Sequence, residues 1–174
     1  FLDKAIESND KDLPDGITNK NGINRSVKGG SVLFGMRKAL NTTVKGLHIV
    51  VDNDSDLSIH PMQLGLLIKD IVEGNAKVVA GSRREEHSVS LIGENRNQRG
   101  NLFISIWQHF LPQLANKITD TNRAFKAFES VSLEKILPSI RIYTFPYQIE
   151  LLQACITMDI PLVKKGIAYI DSEA

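Results

Sequence analysis

Apolar residues alternate between helical spacing and short continuous runs along this chain, and the order of the two patterns predicts its elements. Val32, Leu33, Met36 and Leu40 recur at helical spacing behind a Gly29-Gly30-Ser31 entry, which predicts a helix over 30–40. The run LHIVV, Leu47 to Val51, predicts a strand over 46–52. Leu64, Leu67, Ile68 and Ile71 predict a helix over 61–73, with Pro61 suited to its first position and Gly74 to its exit. A short buried strand follows over 77–80 and runs into Gly81, Ser82 and Arg83. Leu102, Phe103, Ile106, Trp107, Phe110 and Leu114 share the apolar face of a helix over 100–114. After it come a loop carrying Asp120, a short strand with Phe125 and Phe128, a short helix ended by Pro138, a helix over 146–158 and a last strand over 161–169. Helix, strand, helix and strand in succession describe a parallel α/β unit with right-handed crossovers, in which ligands bind beyond the carboxyl ends of the strands. The polar stretches give the loops. Residues 1–27 open with the amphipathic piece FLDKAIE and continue as SNDKDLPDGITNKNGINRS, which offers little to bury and reads as an exposed loop outside the core. Residues 84–99 read as a second surface loop.

Composition narrows the class. A chain of 174 residues, 42% hydrophobic and 24% charged, is long enough for one globular domain with a core of its own. A formal net charge of +1 gives no electrostatic case for nucleic acid or an anionic membrane surface. The single cysteine, Cys155, lies in the apolar context ELLQACI, so no disulfide forms within the chain, a reducing compartment is the simpler expectation, and the thiol reads as buried and structural. No apolar run approaches the ~18–20 residues of a membrane span, and no signal peptide is visible. Phe1 and Ala174 carry no natural start or stop signal, which reads as a fragment.

The chemistry concentrates in VVDNDSDLSIHP, Val50 to Pro61, where Asp52, Asp54 and Asp56 stand at every second position past a strand. Asp54 and Asp56 form a D-x-D pair whose side chains can converge on one hard cation, and Mg²⁺ or Mn²⁺ held by two carboxylates takes its remaining ligands from substrate phosphates and water. The competing reading is a solvated acidic turn, since Asp, Asn and Ser are turn formers. A calcium loop of the EF-hand type is excluded, because Leu57 and Gln63 occupy the positions where it requires Gly and Glu. Lys28 and the glycines after it lie at a helix N-terminus able to receive phosphate oxygens, although K-G-G falls far short of a Walker motif and a glycine turn with a solvated lysine is the commoner explanation. His60 and His109 have no second ligand at metal spacing and read as structural, His87 reads as a solvated loop residue, and Trp107 reads as core packing.

Three stretches in order carry a family resemblance. DSDLSIHP (Asp54 to Pro61), VVAGSRR (Val78 to Arg84) and DTNRAFKAF (Asp120 to Phe128) resemble the Asp-Ala-Asp-Leu, Gly-Ser-Arg and Gly-Phe-(Arg/Lys)-x-Phe segments of family-2 glycosyltransferases, closest to the dolichyl-phosphate mannose synthase and polyprenyl-phosphate sugar transferase group. VKGGSVLFGMRKAL and YQIELL resemble that group's Gly-Lys-Gly-x-Ala and Phe-Asp-x-Glu-Leu-Leu helices, and together the matches span residues 27 to about 172.

The resemblance implies a GT-A (Rossmann-like) fold of the α/β class, a mostly parallel sheet flanked by helices and incomplete at the N-terminus, as one partial catalytic domain over 1–174. It implies a metal-dependent inverting transferase that moves a hexose from a nucleotide-diphosphate sugar of the GDP-mannose or UDP-glucose type to a polyprenyl-phosphate or hydroxyl acceptor, using Mg²⁺ or Mn²⁺. Asp54 and Asp56 would bind the metal, with Ser58 adding an oxygen ligand and Asp52 a second choice. Lys28 and Arg83 would meet the donor phosphates, Arg99 and Arg123 the acceptor, and Asp120, then Glu150, would serve as the base for a hydroxyl acceptor. The implied setting is cytoplasmic, at the cytoplasmic face of a membrane with peripheral contact.

The chain departs from the family pattern at several points. The opening strand and the Asp-Asp-Gly-Ser segment that hold base and ribose are not in it. Gln148 replaces the Asp of the Phe-Asp-x-Glu helix, Arg123-Ala124 replaces the small residue and Gly before Phe125, Val27 replaces the first Gly of Gly-Lys-Gly, and Lys164-Lys165 stand where a Glu often precedes the last strand. The rival from another class is a non-catalytic GT-A-like binding module of a larger protein. A phosphatase or phosphotransferase of the haloacid dehalogenase type ranks well below the transferase, because no D-D or G-D-x-x-x-D follows the strands.

Overall fold

The computed structural model describes residues 2–92 and 94–171, and the side chains of 94–99 fall outside the description. Strand β1 (Ile49–Asp52) leads through an acidic turn and a 3₁₀ turn (Pro61–Gln63) into helix α3 (Leu64–Val72), and then into strand β2 (Val78–Ser82). Helices α1 (Leu2–Glu7) and α2 (Gly29–Leu40) precede this unit. After it come strand β3 (Val89–Leu91), helices α4 (Glu94–Phe110) and α5 (Pro112–Ala115), strand β4 (Lys126–Glu129), helices α6 (Ser130–Ile136) and α7 (Tyr147–Thr157), and strands β5 (Leu162–Gly166) and β6 (Ala168–Ile170).

The four-stranded sheet runs β1-β4-β2-β5. β2 pairs with β5 in parallel, but β4 lies antiparallel between β1 and β2. The sheet is therefore mixed: β1, β2 and β5 share one direction, as expected of a mostly parallel sheet, and β4 runs against them. β1 and β2 still point the same way, as the strand-helix-strand pattern requires. The short connection from the 118–125 loop feeds β4 in from the opposite end, and periodicity in the sequence carries no information on that choice. The expected last strand is also two strands, because the chain leaves β5 at Gly166 and joins β3 in a separate two-stranded parallel sheet.

Side chains alternate across the strands, so each face of the sheet receives its own core. Val78, Ala80 and Phe128 pack with Leu33, Phe34, Trp107, Leu133 and Leu151 of the helices on one face. Val79, Ala127 and Phe125 pack with Leu67 and Ile71 of α3 and with Ile167 and Tyr169 on the other. Every residue of β2 is buried, which explains why it reads as a continuous apolar run. Trp107 is buried as expected. Cys155 is buried too, its thiol donates to the Leu151 carbonyl, and burial pushes its pKa up to about 12. No helix among the described residues is long and apolar enough to cross a membrane.

The N-terminal segment is not a free loop. Leu2, Ala5 and Ile17 are buried in the core with α2, and Ile17 is only 3% exposed. Polar residues fasten the rest: Lys38 reaches Asp10 at 2.9 Å and Asp12 at 2.6 Å, Arg37 donates to the Leu13 carbonyl at 3.0 Å, and the Tyr143 hydroxyl donates to the Asp15 carbonyl. One isoleucine in a polar run is a weak signal by sequence, yet it is the anchor. Ile17→Ala is expected to lower unfolding free energy by about 2–5 kcal/mol in urea titration, whereas Ile23→Ala, at a site 60% exposed, should stay within about 0.5 kcal/mol of wild type. Equal and small effects would return this segment to the surface.

Candidate functional site

The acidic turn owes its shape to its own side chains. The Asp56 carboxylate accepts from the Ser58 backbone N–H at 2.9 Å, which bends the chain through Leu57 in a left-handed conformation, φ 59°. Ser58 and Ile59 are buried beneath it, and His60 Nδ1 caps the 3₁₀ turn by accepting from the Met62 N–H at 3.2 Å. That accounts for His60 structurally. The same backbone hydrogen bond, followed by lesser contributions including the Arg123 and Lys28 charges, holds the Asp56 pKa below its ordinary value.

Beside this turn opens a cleft of about 390 Å³ lined by Lys28, Asp54, Ser55, Asp56, Asn122, Arg123, Phe145, Tyr147 and Gln148. It sits where the carboxyl end of β1 meets the amino end of the antiparallel β4, Asp52 opposite Lys126 in register. Lys28 at the start of α2 forms an ion pair with Asp54 across the cleft. It is brought there because Gly29 packs directly on the backbone of Tyr143 and Thr144, where an added Cβ would lie 2.9 Å from backbone atoms. Arg123 is set by Tyr169 of β6: its guanidinium lies 4.6 Å from the ring centroid and donates to the hydroxyl at 2.8 Å. Arg123 Nε is buried with no hydrogen-bond partner among the described residues.

Of the residues singled out by sequence, the cleft thus unites Lys28, Asp54, Asp56 and Arg123. Gln148 lines it too, and the other candidate site residues do not. Asp120 is fully buried and gripped by Arg83, whose Nε and a terminal nitrogen donate to its two oxygens at 2.6 and 3.0 Å. Burial alone would raise the Asp120 pKa, but these hydrogen bonds and the guanidinium charge hold it below its ordinary value. A carboxylate so engaged is a poor proton acceptor, and Arg83, so engaged, is not free for a phosphate. Glu150 accepts backbone N–H groups of Arg141 and Ile142 at 2.8–3.1 Å, fastening the loop before α7. Ser58 lies under the turn, and Arg99 falls outside the described side chains. Lys164 and Lys165 pair with Glu85 and Asp70.

The two cleft carboxylates fit an ion that takes most of its ligands from substrate oxygens and water, and no group of three or more metal-ligating side chains occurs among the described residues. A cage built from protein alone is therefore not what they form.

Sequence reading missed the floor of the cleft. Lys126 is completely buried; its ammonium donates to the Arg123 carbonyl and, at 2.5 Å, to Gln148 Oε1. Burial lowers its pKa to about 8, against the opposing pull of Asp52 and Asp120. Asp52 shifts the other way, raised by burial despite the Lys126 charge. A lysine between the apolar residues of a strand, A-F-K-A-F, was the available signal. No protein-family model matches the chain, and no curated protein matches it.

Two consequences can be measured. Asp120→Asn leaves Arg83, a half-buried charge, without its carboxylate, so unfolding free energy should fall by about 3 kcal/mol in chemical denaturation; an unchanged value would mean Asp120 is not held in this ion pair. The folded protein gives up the Lys126 proton near pH 8, while the unfolded chain holds its own to about 10.5. Between those values the unfolded state binds more protons, so the cost of this buried charge, complete below pH 8, is relieved as pH rises. The stability difference between wild type and Lys126→Met should therefore move in favour of wild type from pH 8 to 10.5. A pH-independent difference would assign Lys126 an ordinary pKa.

Proposed function

We propose that this chain is the catalytic part of a metal-dependent inverting glycosyltransferase of the GT-A fold, moving a hexose from a nucleotide-diphosphate sugar to an acceptor. The observation that carries the reading is the cleft uniting Lys28, Asp54, Asp56 and Arg123 at the carboxyl end of β1. Paired carboxylates beside two cations suit a diphosphate with its counter-ion, and an open α/β sheet binds ligands at this edge.

Asp54 and Asp56 would hold Mg²⁺ or Mn²⁺, and the ion would supply positive charge against the negative charge of a departing nucleoside diphosphate. Lys28 pairs with Asp54, and a phosphate oxygen competes for the same ammonium. Arg123, fixed by Tyr169, presents a planar donor set suited to phosphate. The acceptor oxygen attacks the anomeric carbon from the face opposite the leaving group, inverting the centre. A hydroxyl acceptor requires a base within hydrogen-bond reach. Asp120 and Glu150 are bound elsewhere, so an acceptor that is already anionic, a polyprenyl phosphate, fits this cleft better.

The second reading is a non-catalytic GT-A-like module, favoured by the same engagement of Asp120 and Glu150 and by the Lys28–Asp54 ion pair that already neutralises one candidate ligand. Calorimetry with GDP-mannose and UDP-glucose, with and without Mn²⁺, separates the two. The transferase reading expects one donor to bind only with metal, and Asp54→Ala with Asp56→Ala to abolish it. Binding that survives loss of both acids, or no donor bound at all, leaves the module.

A further inference from the structure

Beneath the cleft, Lys126 makes an arrangement that the metal and phosphate roles do not use. The ammonium is fully enclosed, and the two groups it donates to, the Arg123 carbonyl and Gln148 Oε1, belong to residues that line the cleft. Gln148 passes the link on: its amide nitrogen donates to the Tyr147 hydroxyl at 3.1 Å, and that hydroxyl points at Asp52 Oδ2, 3.5 Å away. The charged groups around the ammonium are Asp52 on β1, Asp120 and Arg123 in the loop before β4, and Asp54 in the acidic turn.

A buried ammonium costs stability, and an apolar side chain of similar length would commonly fit such a site at no loss. What Lys126 supplies is a tie. The loop 120–125 and the start of α7 are distant in sequence and one ammonium joins them, while Asp52 at the end of β1 stands opposite Lys126 in the strand ladder and is reached from Gln148 through the Tyr147 hydroxyl. We propose that Lys126 is a positioning residue, which through Arg123 and Gln148 holds the basic wall of the cleft at a fixed separation from the acidic turn and so preorganises the cleft for a metal-bound diphosphate. Fixing that wall in advance removes the cost of ordering it on binding. The ligand named here rests on the transferase reading, and the tie itself does not.

The test pairs Lys126→Met with Gln148→Leu, which cuts the same link from its other end. Mn²⁺ with GDP, and Mn²⁺ with UDP, are titrated by calorimetry against wild type, each single variant and the double variant. Each single variant is expected to weaken the bound nucleotide by about tenfold or more, and the double variant to be no weaker than the worse single by more than about twofold, since both act through one link. Affinity unchanged in Lys126→Met, or losses that simply multiply in the double variant, overturns the proposal. If Lys126→Met does not fold, Gln148→Leu decides alone, and wild-type affinity there overturns it. If wild type binds neither nucleotide, the transferase reading has failed, and ¹H–¹⁵N spectra without any ligand decide the tie. The Arg123 Nε–H and the Gln148 side-chain amide should shift in Lys126→Met while the Trp107 indole N–H does not. Signals that stay in place overturn it.

Discussion

The direction of β4 is the constraint on which the rest of the molecule depends. A strand hydrogen-bonded on both edges and packed on both faces has no freedom to slide, because a one-residue slip would exchange its two faces. Phe128 faces the helices and Ala127 faces α3, and the register with β1 and β2 follows from that division. Running against its neighbours, β4 begins where they end. Its first residue, Lys126, and the loop before it are thereby delivered to the edge where β1 enters the acidic turn. Had β4 run parallel, the loop carrying Asp120 and Arg123 would lie at the far end of the sheet.

Close packing at that edge tolerates little change. Phe125 enters β4 with φ 119°, a conformation foreign to a bulky residue, and its carbonyl accepts from the Gly81 N–H at 2.9 Å. Gly81 accommodates this because an added Cβ would lie 2.9 Å from the Phe125 ring and 3.0 Å from its carbonyl oxygen. Strain of this kind persists only where surrounding contacts over-determine it, and such places cluster at ligand sites. The buried charges behind the cleft tell the same story. Arg83 with Asp120, and Lys126 among carbonyl oxygens, are arrangements that a purely apolar interior would replace without loss of stability. They hold loops, and the loops hold the cleft.

The division of labour among the carboxylates follows from solvent and partners rather than from residue type. Asp56 is exposed and shaped by its own turn, Asp54 faces a lysine, Asp52 is driven toward the neutral form by burial, and Asp120 is held ionised by a guanidinium despite complete burial. Only the first two are placed to meet a ligand in the cleft. For the transferase reading this moves weight from proton abstraction to positioning and charge neutralisation, the terms that dominate when both the leaving group and the acceptor are phosphates.

Sequence by itself determined what depends on neighbours along the chain. Helical spacing placed α2 and α7 within a residue at each end, and α3 together with the 3₁₀ turn Pro61–Gln63 before it, the continuous apolar run marked β2, and Asp-Ser-Asp after a strand marked the turn that lines the cleft. These follow from local periodicity and turn chemistry. Residues 84–99, expected to be loop, contain β3 and the start of α4, because a strand of three residues has too few positions to show a period and finds its partner some 80 residues away in β6. Ile17 became core, and Asp120 and Glu150 are engaged in fastening loops, for a related reason. The partner of each lies in another element, and a side chain's role is set by what faces it. Tertiary structure alone decided that Lys126 is buried, that Arg123 stacks on Tyr169, and that β4 runs backwards, since burial, stacking and strand direction are properties of surroundings that no single stretch of sequence contains.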